Sequence, residues 1–182
     1  MSEMLIPRKG NYKKLLSYQK TEVIFEMTYY FCHNYLQRGD RTIDQMVQAA
    51  RSGKQNIVEG CAASATSNKT EIKLVSVAKA SLQELLEDYE DYLRTRGHRQ
   101  WEEGSKELEA MRRLGRTHND APFFMDLVKT RPPETIANMA IVLLHQEDVL
   151  LRKHIEKQIK RFVDEGGFRE SLTKARKDKK RN

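Results

Sequence analysis

Apolar positions recur at three- and four-residue spacing in four long stretches, and no stretch alternates as a half-buried strand would. In the first, about residues 12–37, the stripe is Leu15, Tyr18, Phe25, Tyr29, Cys32 and Leu36, ended by Gly39 and Asp40. The second, 42–61, carries Ile43, Met46, Val47, Ala50, Ile57 and Cys61. Thr42 and Gln45 have the spacing of a capping box at its start. Gly53 lies in that stripe, where it would admit a neighbouring backbone at a cost of about 1 kcal/mol in helix propensity. A small-residue connector, Ala62 to Asn68, leads into the third stretch, 68–97. Its stripe is Ile72, Val75, Ala78, Leu82, Leu85 and Tyr89, with Asn68 and Glu71 as a second capping signature. The fourth, 133–165, opens on Pro132-Pro133, which suits a first helical turn. Ile136, Ala140, Leu143, Leu144, Leu151, Ile155, Ile159 and Phe162 form its stripe, and Gly166-Gly167 reads as the stop.

Four helices of roughly 20 to 30 residues predict an all-α fold, an antiparallel four-helix bundle spanning 12–167. A basic tail, 168–182, follows it. Residues 98–131, between the third and fourth helices, are the least periodic. A connection of about 30 residues is long for a bundle, where two to eight is usual. The segment contains Trp101, a short predicted helix from Glu102 to Leu114, and Ala121-Pro122-Phe123-Phe124. It is expected to be a partly helical insertion that packs on the bundle or offers a surface to a partner.

The chain has 182 residues, enough for one domain, and its 9 Gly and 4 Pro are too few for the many turns of an all-β fold. The longest apolar run, Met139 to Leu144, is far short of the ~18 residues that read as a membrane span. No secretory signal is visible. Cys32 and Cys61 lack metal or redox spacing, so a reducing cytoplasm is the expected compartment. Charge is more telling by position than in total. The net charge is +7, yet the first 20 residues carry +4 and the last 15 carry +5, leaving the body at −2. Lys174, Arg176, Lys177, Lys179, Lys180 and Arg181 of the tail, with Lys9, Lys13 and Lys14, are the candidate phosphate-contacting residues. A tail that merely keeps the chain soluble is the competing reading.

Catalytic and metal signatures fail one by one. A di-metal carboxylate bundle needs Glu-x-x-His pairs, and no histidine here has a carboxylate three residues before it. Glu84, Asp88 and Asp91 share one face of the third helix, which reads as a solvated acidic face or as one that meets a basic surface on another subunit. Ser52-Gly53-Lys54-Gln55 has Gln48 and Gln55 where a phosphate-binding loop needs Gly and Ser or Thr. No nucleophile elbow or dinucleotide fingerprint is present. Cys32 and His33 point about 100° apart on one helix, so neither activates the other. No enzyme, cofactor or metal is predicted.

Asn-Ile-x-Glu-Gly at Asn56 to Gly60 and Ser-Leu-x-Glu-Leu at Ser81 to Leu85 form a recognisable combination. Through it the chain resembles the four-helix-bundle proteins encoded by intervening sequences of large-subunit ribosomal RNA genes, over roughly Ile43 to Leu93. As a whole it is similar to a longer bacterial variant that carries a suffix domain. The resemblance implies a bundle that assembles with itself, typically as a pentamer, and without established catalysis. A related branch, the accessory variability determinant of diversity-generating retroelements, is a basic pentamer that binds nucleic acid and a reverse transcriptase.

The signature residues Asn56, Glu59, Gly60, Ser81 and Glu84 are assigned to fold and assembly rather than to a reaction. Asn56 and Glu59, if partly buried, need hydrogen bonds, for which the connector backbone and Ser81 are the expected partners. Gly60 is expected to permit the turn that follows. The leading expectation is a homo-oligomeric module that binds RNA or DNA backbone with little sequence preference. The alternative is an adaptor that docks a protein through 98–131. No membrane partner is expected.

Overall fold

The computed structural model describes residues 11–65 and 67–165, together with residues 173, 176 and 177. Among them there are only helices and connectors: a 3-10 turn, Tyr12–Lys14, then α1 (Leu16–Tyr35), α2 (Arg41–Ala63), α3 (Asn68–Thr95), α4 (Lys106–Thr117), α5 (Ala121–Val128) and α6 (Pro133–Glu165). The predicted stop at Gly166-Gly167 lies outside the described residues. No described helix is long and apolar enough to cross a membrane.

The direction of each helix follows from who meets whom. Cys32 meets Met46, and Lys54 sits over the Phe25 ring, so α1 and α2 run in opposite senses. Ser52 meets Ser81 and Gly60 meets Val75, which sets α3 against α2 in the same way. Lys79 pairs with Asp148 and Glu71 with His154, opposing α6 to α3. Lys20 reaches Gln146, and Tyr35 donates to the Arg131 carbonyl, opposing α6 to α1. The core between these helices holds Ile24, Met27, Phe31, Met46, Tyr89 and Leu143, all fully buried. Phe31 packs edge-on against Tyr92 with ring centroids 4.8 Å apart, and the Tyr89 hydroxyl donates to Thr28 Oγ1 at 3.0 Å.

Several local expectations are corrected. Asp40, not Thr42, caps α2: its carboxylate accepts the Thr42 N–H at 2.9 Å, which holds the Asp40 acid below its ordinary range. Ser67 caps α3, while Glu71 is turned into the interior onto His154 instead of reaching back to the cap. The first helix starts at Leu16, because Tyr12–Lys14 forms a separate 3-10 turn. Tyr29 of the predicted stripe is exposed, and so are Ile159 and Phe162, because α6 continues past the level of its neighbours. A Cβ on Gly53 would lie 2.5 Å from Leu82 Cδ2, so a side chain, not a backbone, fills the space above that glycine. Gly60 lies within α2 against Val75 and forms no turn.

The segment 98–131 holds two helices. α4 starts later than predicted, after Ser105, whose hydroxyl accepts the Leu108 N–H. Leu108 and Met111 of α4 and Phe124 and Val128 of α5 join the same buried cluster as the longer helices. α4 lies on α6 and α5 on α1, so the insertion completes the body.

Candidate functional site

Where α1, α4 and α6 come together, a groove of about 680 Å³ opens between them. Its position is set by α6 side chains that reach out to hold the inserted segment. Asn138 accepts the Trp101 N–H at 2.8 Å and donates to the Arg99 carbonyl at 2.9 Å, tying the loop after α3 to α6. That loop turns at Gly97 and Gly104, whose φ of 68° and 79° belong to the left-handed region where glycine is at ease. Gln146 donates to the Arg112 carbonyl at 2.9 Å. A Cβ on Gly115 would come within 2.9 Å of Leu143 Cδ2, so only glycine lets α4 settle this close to α6.

Lys20 forms the floor. Its ammonium donates to the Gly115 carbonyl, near the C-terminal end of α4, and to Gln146 Oε1 at 3.3 Å. A cation suits that position because the last carbonyls of a helix carry partial negative charge. Burial nevertheless pulls the Lys20 amine down to about 8, and the nearby Glu147 only partly offsets this. Glu147 is itself wholly buried, neither carboxylate oxygen has a hydrogen-bond partner, and burial pushes its acid well above the ordinary range.

The walls divide by chemistry. Leu16, Leu108, Ile141, Val142, Val149 and Leu150 give an apolar lining, with half-buried Trp101 at one side. Arg112, Arg116, His145 and Lys153 bring cationic or titratable nitrogen to the same groove, against a single carboxylate, Glu103. Arg112 is engaged already: Glu103 takes it from two oxygens and Glu109 from a third at 2.7 Å. Those carboxylates hold its proton more tightly than usual. Arg116, His145 and Lys153 pair with no other described residue.

The residues singled out in the sequence fall elsewhere. Lys13 and Lys14 are exposed on the 3-10 turn before α1, and Arg176 and Lys177 are exposed helical residues. Lys9, Lys174, Lys179, Lys180 and Arg181 lie outside the described residues. In the α2–α3 contact, Asn56 donates to the Ser52 carbonyl at 2.9 Å and to the Ser52 hydroxyl, which bonds Ser81 at 2.9 Å. Asn56 therefore reaches Ser81 through Ser52, not directly. Glu59 is exposed and accepts from Gln55, and Glu84 is exposed. Together with Glu87 and Asp91, Glu84 raises the Asp88 acid, although burial is the larger cause. Among the described residues, no group of three or more His, Cys, Asp or Glu is placed to hold a metal ion.

Sequence reasoning missed the groove and its buried charges. The available signal was position: Lys20 sits four residues from both Leu16 and Ile24, and Glu147 four residues from both Leu143 and Leu151, so each occupies an apolar stripe.

No protein-family model, curated protein or solved structure matches the chain.

Proposed function

We propose that the chain is a non-enzymatic, self-assembling antiparallel four-helix bundle, with α4 and α5 inserted before its last helix, that binds RNA or DNA backbone with little sequence preference. The observation that carries this reading is the gathering of cations at one end. Because α1 and α6 run oppositely, Lys13 and Lys14 before α1 belong to the end of the body where Arg152, Lys153, Lys157, Lys160 and Arg161 of α6 are exposed. Between Arg152 and Arg161 only Glu156 interrupts that run. Clustered lysines and arginines favour phosphate contact over sequence readout.

Self-assembly is supported by Ile159, Phe162 and Val163, which α6 leaves exposed beyond its neighbours. It would repeat the cationic end on one particle, so that weak contacts add by avidity. Cys32 and Cys61, which form no disulfide, fit a cytoplasmic setting. Docking a protein partner through 98–131 is the weaker reading, because Leu108, Met111, Phe124 and Val128 are buried within the body.

The test is fluorescence anisotropy with single-stranded RNA, duplex RNA and duplex DNA over a salt series. Binding should weaken steeply with salt, with a slope falling by about 0.7 for each single-strand phosphate contact removed. Lys13→Gln, Lys14→Gln, Lys157→Gln and Lys160→Gln together should flatten that slope. A second protein ending at Gly167 measures the share carried by the tail lysines and arginines. A slope that neither change alters would reject the cationic-end reading, and the absence of binding from a well-folded particle would reject nucleic acid altogether.

A further inference from the structure

We propose that the α1–α4–α6 groove is a binding site for a small amphipathic anion, a medium-chain acyl carboxylate, and that it meets the proposed nucleic-acid surface only at Lys153. Three observations favour this occupant. The volume, about 680 Å³, lies within the range of roughly 300–1,000 Å³ typical of small-molecule sites. Leu16 and Val149, two of the few large apolar side chains left exposed, at 46% and 37%, both line it. Water gains nothing at such a lining, so an apolar body there is favoured.

The third observation is the distribution of polar groups. Arg112 is held by two carboxylates, but Arg116 and Lys153 face the same groove and pair with no other described residue. Two uncommitted cations beside one carboxylate already bound elsewhere complement a negative head group. A nucleobase is disfavoured by the amides. Asn138 makes hydrogen bonds from its nitrogen to Arg99 and Glu134 and receives one from Trp101, while Gln146 bonds Arg112 and Lys20. Both N–H groups of Asn138 are therefore taken, and Gln146 keeps at most one to read a base edge. The apolar stretch then takes the acyl chain, and Arg116 and Lys153 take the carboxylate.

Trp101 is the only tryptophan in the chain and lines the groove, so its fluorescence reports occupancy directly. The full-length protein would be titrated with octanoate, decanoate and dodecanoate below their micelle concentrations, with calorimetry in parallel. Saturable binding is expected, tightening by up to about fifteenfold for each two added methylenes. Decanol and decyltrimethylammonium, which keep the chain without the anion, should bind at least tenfold more weakly.

Arg116→Gln with Lys153→Gln, both at exposed positions, should weaken decanoate about tenfold while leaving the melting temperature unchanged. Equal binding of the three decyl head groups, unchanged decanoate affinity in that variant, or no heat and no fluorescence change would each overturn the proposal. A second copy of the chain filling the groove would instead appear as a mass change by light scattering in the variant, with no decanoate binding to either protein. The salt dependence of RNA binding is read on the Lys13, Lys14, Lys157 and Lys160 variant, which leaves Arg116 and Lys153 in place, so the two readings can fail independently.

Discussion

Lys20 and Glu147 are buried in the same part of the body, 3% and 0% exposed, and act on each other's charge without a hydrogen bond between them. Burial dominates both. It favours the neutral amine and the neutral acid, while the attraction between the charged forms offsets part of the effect.

The two groups act on stability in different pH windows. The folded state keeps a proton on Glu147 that the unfolded chain loses above about 4.5, so this group's contribution is fully present below that pH and is lost as pH rises. Folded Lys20 releases a proton near 8 that the unfolded chain holds to 10.5, so across that window stability recovers as pH rises. Glu147→Gln keeps the shape and removes the first effect. Its advantage over the natural protein should grow as pH rises above about 4.5, by up to ~1.4 kcal/mol per unit, as read from urea unfolding. Parallel pH profiles for the two proteins would show that Glu147 holds no such proton.

Gly53→Ala sets two effects against each other. Alanine gains about 1 kcal/mol of helix propensity over glycine. The new methyl, however, would meet Leu82 at 2.5 Å in a packed interface, where overpacking costs typically ~1–3 kcal/mol. Net destabilisation is expected because both Cδ2 and Cγ of Leu82 lie in the way, and Cγ moves only with χ1, which would carry the whole side chain out of its packed place. Pairing Gly53→Ala with Leu82→Ala tests the cause. The double variant should lose less than the sum of the single losses, and simple additivity would exclude a clash.

Tyr89→Phe isolates one buried hydrogen bond. The hydroxyl lies in a fully buried side chain and donates to Thr28 Oγ1 at 3.0 Å, and burial drives its acid far above the ordinary range. Removing it leaves the Thr28 oxygen without that donor, at a cost of about 1–3 kcal/mol. Adding Thr28→Val removes the stranded partner, so the double variant should be nearer the natural protein than Tyr89→Phe alone. If it is not, Thr28 has another way of meeting its hydrogen-bond needs.

The long helices were legible because their apolar periodicity is strong: 68–97 and 133–165 match α3 and α6 to within two residues. Their caps were less so. Asp40, Thr42, Ser67 and Asn68 are all competent caps, and a one- or two-residue shift decides which carboxylate or hydroxyl meets the backbone. The insertion was harder still, since α4 and α5 have 12 and 8 residues and owe their helicity to packing on the body. The groove was illegible as a site because its parts come from three helices far apart in sequence. The charged residues at stripe positions 20 and 147 could have been noticed, but spacing alone does not say that they share an interior.

Asn138 offers the most direct check that the insertion is held as described. It is buried, and it satisfies the Trp101 N–H and the Arg99 carbonyl together. Asn138→Ala strands both groups, for a loss of about 1–3 kcal/mol, and should free the loop so that iodide quenches Trp101 more strongly. Asn138→Asp keeps an acceptor for the Trp101 N–H but has no donor for Arg99, so its quenching should fall between those of Asn138→Ala and the natural protein. Two substitutions with equal quenching would mean that the Trp101 bond contributes nothing to holding the loop, leaving that role to the Arg99 bond and to the packing of α4 on α6.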